Sequence, residues 1–271
     1  MLWTEIAERI GMREEILGAL RACAEAFDKD AYAKEIAALA DPYRTAGAYQ
    51  TLCERLSPDE ENFRMELCQL LAAELMWDKY RALGIPEQIY WDTMGVFARC
   101  IEETKVYRGK WCVDRVFWTY RQVSMTIFRL GALEYELKRD TGKISIHIPS
   151  DADFSPASVD ASLAQVRPFC RTYFPEFANA DIQCGSWLLS DVLPRLLPEN
   201  SNILRFQQRF VMTEQEHRSN GYIRFLFQML PDTPTADLRE DTSLQKKAKA
   251  LLLSGGNIGT GSGILTVMKQ A

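Results

Sequence analysis

The chain has 271 residues, enough for one large domain or two modest ones. Hydrophobic residues make up 47% and charged residues 25%, which excludes a chain that is disordered over most of its length. With 32 Lys and Arg against 37 Asp and Glu, the net charge is −5, which argues against a protein dominated by phosphate-backbone contacts, so no nucleic acid partner is expected.

No uncharged apolar run approaches the ~20 residues of a membrane span, so no membrane is expected. Glu5, Glu8, Arg9, Arg13 and Glu14 interrupt the apolar stretch that a secretion signal needs. The cysteines stand at 23, 53, 68, 100, 112, 170 and 184 without a CxxC pair, and the two histidines are His147 and His217. This pattern predicts reduced thiols, a cytoplasmic location and no metal site.

Residues 1 to about 107 read as helices. Stretches 5–27 and 30–39 are helical by pattern. Ser57-Pro58-Asp59-Glu60 reads as a helix start, with Ser57 at the N-cap, Pro58 at N1 and Glu60 at N3. Phe63, Leu67, Leu70, Leu71 and Leu75 then form an apolar stripe. Gly84-Ile85-Pro86 stops that helix and starts another reaching about residue 104. Residues 1–115 are therefore expected to form an all-helical domain, most simply a packing partner for the second half of the chain.

From residue 116 to 271 the period changes and an α+β domain is expected. Residues 126–137 and 144–149 alternate around the turn Asp140-Thr141-Gly142-Lys143, as an antiparallel hairpin does. Ser155-Pro156 opens a helix with Val159, Leu163, Val166, Cys170 and Tyr173 on one face, which Pro168 should kink or split. Residues 182–189 read as a strand and 191–197 as a short helix. Residues 203–213 and 222–229 read as two further strands. Thr242-x-x-Gln245 caps a final helix at 243–253. The Gly-rich stretch 255–263 contains GxxGxG but follows a helix and lacks the Lys-Ser/Thr of a phosphate loop, so a turn into a closing strand at 264–268 is the better reading.

Candidate chemistry gathers on two strands. His147 lies among apolar neighbours and an imidazole there can take a proton from an amine. Cys184 and Ser186 alternate onto one face of their strand. Cys184 beside His147 would make a nucleophile–base pair. Glu134 and Glu136 share a face and either can accept a proton. A buried, satisfied role is the plain alternative for each. His217 sits in a charged turn and is expected to be merely exposed.

The stretches RLGALEYEL (129–137), SIHIP (145–149), CGSWLL (184–189) and LLPENSNILRFQQRF (196–210) resemble the bacterial acyltransferase-domain proteins that pair an all-helical N-terminal domain with a GNAT-like C-terminal domain. The resemblance implies a mixed, mainly antiparallel sheet with crossover helices, and acyl-CoA or acetyl-CoA as co-substrate. It implies that the strand at 144–148 pairs with the pantetheine arm through the backbone of Ile146 and Ile148. The strand at 182–189 would splay away, with Trp187 walling the gap. An amine, on a small molecule or a protein, would attack the thioester directly, with His147 or Glu134 as base and Ser186 donating to the thioester oxygen. A Cys184–His147 thiol hydrolase is a lesser alternative. One departure stands out: where such enzymes carry a Q/R-x-x-G-x-G/A loop for the pyrophosphate, this chain reads Ser150-Asp151-Ala152-Asp153-Phe154-Ser155. That leaves room for a non-catalytic ligand-binding or interaction module on the same fold.

Overall fold

The computed structural model describes residues 1–266, which divide into two units after Arg129. The first unit is helical: α1 (Trp3–Arg9), α2 (Glu14–Ala26), α3 (Ala33–Leu39), α4 (Thr45–Arg55), α5 (Phe63–Leu83), α6 (Glu87–Met94), α7 (Val96–Arg108) and α8 (Val116–Thr119). The long helix α5 is the hub, packed by α1, α2, α3, α6 and α8. Its start differs from the sequence reading. Residues 57–60 lie ahead of the helix, and Asp59 supplies the cap by accepting the N–H of Met65 at 3.0 Å. The stretch expected as one helix from 86 to 104 is two, α6 and α7, meeting at Gly95. Trp77, Tyr80, Tyr90 and Trp91 interlock edge to face or tilted between α5 and α6, and Tyr90 donates its hydroxyl to the Ala73 carbonyl at 2.9 Å.

The second unit is built on one six-stranded sheet in the order β1-β2-β3-β4-β6-β5. Its strands are β1 (Ile127–Leu130), β2 (Leu133–Lys138), β3 (Lys143–His147), β4 (Ile182–Ser186), β5 (Phe210–Glu216) and β6 (Thr260–Leu265). The expected hairpin is β2 and β3. Between β3 and β4 runs α9 (Pro156–Tyr173), which packs on β2. Ser162 of α9 explains much of that seat: it lies 3.0 Å from the Tyr135 hydroxyl and accepts the Leu133 N–H at 3.2 Å. Pro168 does not split α9, which stays one helix through it. The Ala164 carbonyl loses its partner there, a local loss that the packing of Val166, Phe169 and Cys170 outweighs.

One expected strand holds only in its second part and another is wrong. Residues 203–213 divide into α11 (Asn202–Gln207) followed by β5, and 222–229 hold α12 (Tyr222–Leu226). Ser201 caps α11 by accepting the Ile203 N–H at 3.2 Å. Tyr222, Ile223 and Phe227 bury into a cluster with Leu193, Leu238, Ala248 and Ile258, bringing α12 together with α10 (Leu193–Leu196) and α13 (Ser243–Leu253). A short apolar run fits such a buried helix as well as a strand.

The Gly-rich stretch becomes β6, between β4 and β5. Residues 267 and 268 of the expected closing strand lie outside the described residues. Glycine is required for contact there, not for phosphate. A Cβ on Gly261 would stand 2.1 Å from the Leu189 carbonyl oxygen, and one on Gly259 (φ +71) would stand 2.2 Å from that of Glu216. Gly261→Ala is expected to lower stability by roughly 3 kcal/mol in denaturant unfolding, the upper end for overpacking. Gly47→Ala, in open space on α4, should change it by less than ~1 kcal/mol. Equal effects from the two would show that β6 tolerates side chains.

Candidate active site

β3 and β4 run side by side and parallel, joined by the α9 crossover. Only three residue pairs are in register: Ile144 with Ile182, Ser145 with Gln183, and Ile146 with Cys184. Beyond them the strands part. Gly185 and Ser186 pair with Ser262 and Gly261 of β6, and nothing on β4 is in register with His147 or Ile148. One local feature opens the gap: after β4 the chain turns at Trp187–Leu189, and that turn is held from two directions. Gln207 of α11 donates to the carbonyls of Leu188 and Ser190, each at 2.9 Å, and Gln215 of β5 donates to that of Leu189 at 3.1 Å.

Backbone direction follows from one bond. The Ile144 N–H donates to the Asp181 carbonyl at 2.9 Å, so the amides of Ile146 and, where the chain stays extended, Ile148 also face the β4 side. Ile146 is within the paired stretch. Ile148 lies just past it, at the opening.

Side chains sort by face. Cross-strand pairing puts Glu134 opposite His147 and Glu136 opposite Ser145. These four share one face. Tyr135, Ile146 and Cys184 share the other, against α9. His147 Nε2 lies 2.8 Å from Glu136 Oε2, and Lys138 Nζ is 3.7 Å from the same oxygen. Glu134 and Glu136 are both buried, and His147 is half-buried. Glu136 is thus the carboxylate that grips the imidazole. Alternation marks it in the sequence only as the twin of Glu134. Gln207 and Gln215 carry no sequence signal at all, because they act through carbonyls on distant residues.

The Cys184–His147 pair does not form. Cys184 is 1% exposed on the opposite face, and burial pushes its thiol up to about 12. Cys184→Ala should therefore keep turnover within about threefold while costing about 1 kcal/mol of stability for its small cavity. Abolished turnover in a folded variant would restore the thiol route. Ser186 lies at the end of β4, where its Oγ accepts the Leu188 N–H at 3.2 Å, leaving its own O–H to donate. Trp187 is half-buried, with its ring 6.4 Å from that of Tyr222, so it walls the turn. His217 is exposed but not alone: its Nε2 lies 2.9 Å from Asp191 Oδ1. No cluster of three or more His, Cys, Asp and Glu able to hold a metal occurs among the described residues. No helix among them is long and apolar enough to cross a membrane.

This arrangement, parallel strands that part at their carboxyl ends after a hairpin, agrees with comparison to known proteins. Residues 127–265 match the GNAT-like C-terminal domain, and residues 1–125 match the N-acyltransferase N-terminal domain. The chain belongs to the GNAT-like family. Its two matched parts meet within a few residues of the division after Arg129. Among solved structures, an acyltransferase mutant in complex with octanoyl-CoA is similar at TM-score 0.80 and 20% identity, over 97% of this chain and 86% of that one. An acyltransferase in complex with decanoyl-CoA and teicoplanin is similar at TM-score 0.70 and 20% identity, over 98% and 99%. One in complex with CoA and 10C-teicoplanin is similar at TM-score 0.71 and 20% identity, over 98% and 100%. No curated protein matches the chain.

The start of α9, which comes after β3, departs from a phosphate-binding loop. Asp153 fills it: its carboxylate accepts the Ser155 N–H at 2.9 Å and the Ser155 hydroxyl at 3.1 Å, and the Ser158 hydroxyl as well. These donors hold the Asp153 carboxyl below the usual carboxylate range. Phe154 anchors the same loop on Phe206, ring centroids 4.9 Å apart.

Proposed function

We propose that this chain is an acyltransferase that moves an acyl group from a coenzyme A thioester to the amine of a small molecule. The observation that carries the reading is the parting of β3 and β4, with the His147–Glu136 pair joining the end of β3 to β2. The ligands of the similar structures support it: octanoyl-CoA and decanoyl-CoA as acyl thioesters, teicoplanin as a small-molecule partner. A cytoplasmic location fits the free thiols of the seven cysteines.

Each residue at the opening has a role in that transfer. The free amide edge at Ile148 pairs with the pantetheine arm, continuing the line of Ile146, and Trp187 walls the acyl side. The amine nitrogen attacks the thioester carbon. The His147 imidazole, held at Nε2 by Glu136, takes the proton that the amine sheds. Ser186 alternates onto the Cys184 face of β4, away from His147, so the developing oxyanion is left to backbone N–H groups at the opening. The carbon–sulfur bond then breaks and CoA leaves as its thiolate. Glu134, buried beneath His147 on the same face, is the second candidate for the base.

Thermal unfolding with CoA, acetyl-, octanoyl- and decanoyl-CoA, each at about 1 mM, tests the reading. A ligand at ~100 times its Kd stabilises by about 2.7 kcal/mol, roughly 5–10 °C for a chain of this size. A shift that depends on acyl length is expected. No shift with any of the four would overturn it in favour of a module that keeps the fold without the chemistry.

A further inference from the structure

A coenzyme A thioester carries its anionic diphosphate at the end of the pantetheine arm. On a sheet with this crossover, the nearest prepared anion site would be the start of α9, since helix N-termini present unpaired N–H groups to phosphate. Here, of the four residues from Ser155 to Ser158, only Ala157 keeps an N–H that is neither absent nor already in use. Pro156, the first residue of α9, has no N–H. The Ser155 N–H goes to Asp153 Oδ1 at 2.9 Å. The Ser158 N–H goes to Ser155 Oγ at 3.3 Å, and the Val159 N–H to the Ser155 carbonyl at 3.0 Å. The position a phosphate would take holds a carboxylate, with a second acid, Asp151, two residues before it. The Phe154–Phe206 contact pins the loop from the other side, and Phe206 is 1% exposed. A phosphate there would have to displace three hydrogen bonds and sit against like charge.

We infer that this chain recognises its donor as an acyl-pantetheine thioester, through the arm and the acyl chain, and does not read the diphosphate at the start of α9. The inference rests on the proposed acyl transfer and narrows its donor specificity. A donor stripped of its nucleotide keeps everything the opening between β3 and β4 can contact: the two amides of the arm, the thioester and the chain.

Calorimetric titration with octanoyl-CoA and with octanoyl-pantetheine tests it, on the full chain and on Asp153→Ala. The expected result is a Kd within about fivefold for the two donors, and less than threefold change in either on Asp153→Ala. A hundredfold or greater loss with octanoyl-pantetheine would overturn the inference. So would a tenfold or greater tightening of octanoyl-CoA alone on Asp153→Ala, because that pattern means the diphosphate competes with the carboxylate for α9. Failure of both donors to bind would instead overturn the proposed acyl transfer and this inference with it, so the two failures are distinguishable.

Discussion

His147→Gln should lower kcat/KM for acyl transfer by 10²- to 10⁴-fold, the range over which a positioned general base contributes. The side chain is half-buried at the end of β3, so the variant should fold. Glu136→Gln should cost less, about tenfold. It keeps a partner for Nε2 and removes only the charge that favours the imidazolium after proton transfer. The pair of variants separates chemistry from support. If His147→Gln alters KM alone, the imidazole serves in binding, and Glu134 becomes the residue to change next. Activity unaffected by either would remove this face of the sheet from the reaction.

Glu66→Gln is expected to stabilise the helical unit strongly, and more so as pH rises. Glu66 lies on α5, 2% exposed, in a small cavity lined by Phe97, Cys100, Ile101 and Val113 and also by Asp114, Arg115 and Thr119. Its carboxyl makes no ion pair among the described residues, and burial raises its pKa to about 8. The folded state therefore keeps a proton that the unfolded state has shed. The unfolded chain binds fewer protons between its pKa near 4.5 and the folded value near 8, so stability falls across that window and levels off above it. Glutamine does not titrate. Its advantage should grow from about 1 kcal/mol at pH 5 to about 3 kcal/mol at pH 7 and about 5 kcal/mol at pH 9. At pH 7 that is on the order of 10 °C in the melting temperature of a unit this size. Melting curves of both proteins at the three pH values check it. Parallel curves would show that Glu66 is charged and satisfied in the folded state.

The sequence carried most of the fold where local rules decide. Alternation placed β2 and β3, the Asp140–Gly142 turn joined them, Ser155-Pro156 opened α9, and Thr242 with Gln245 capped α13 in a capping box. It failed where two periods fit equally. Residues 203–206 and 222–227 are short and apolar, and only burial against α10 and α13 makes the latter a helix. It also failed at Ser57, because a cap can be reached from Asp59 across several residues. His147 was legible as a candidate from residue type and strand. Its partner Glu136 was half-legible from alternation, and the faces of Cys184 and His147 needed the register of β3 on β4. The glutamines that hold the Trp187–Leu189 turn were beyond reach, because their meaning lies wholly in tertiary contacts.

The position of β6 has a consequence for biosynthesis. Residues 260–265 are made after β5 and after α13, yet they are the strand that links β5 to the rest of the sheet. While a chain is being synthesised, β1 to β4 can assemble as soon as residue 186 has emerged, but β5 has no neighbour to pair with for a further stretch of more than forty residues. During that interval β5 presents two open edges and the exposed Val211 and Met212 side chains. Gln215, which steadies the turn beside the candidate site, is not yet seated. Competence at the opening between β3 and β4 therefore arrives late, with the insertion of β6, and the nascent chain is most open to mispairing just before it.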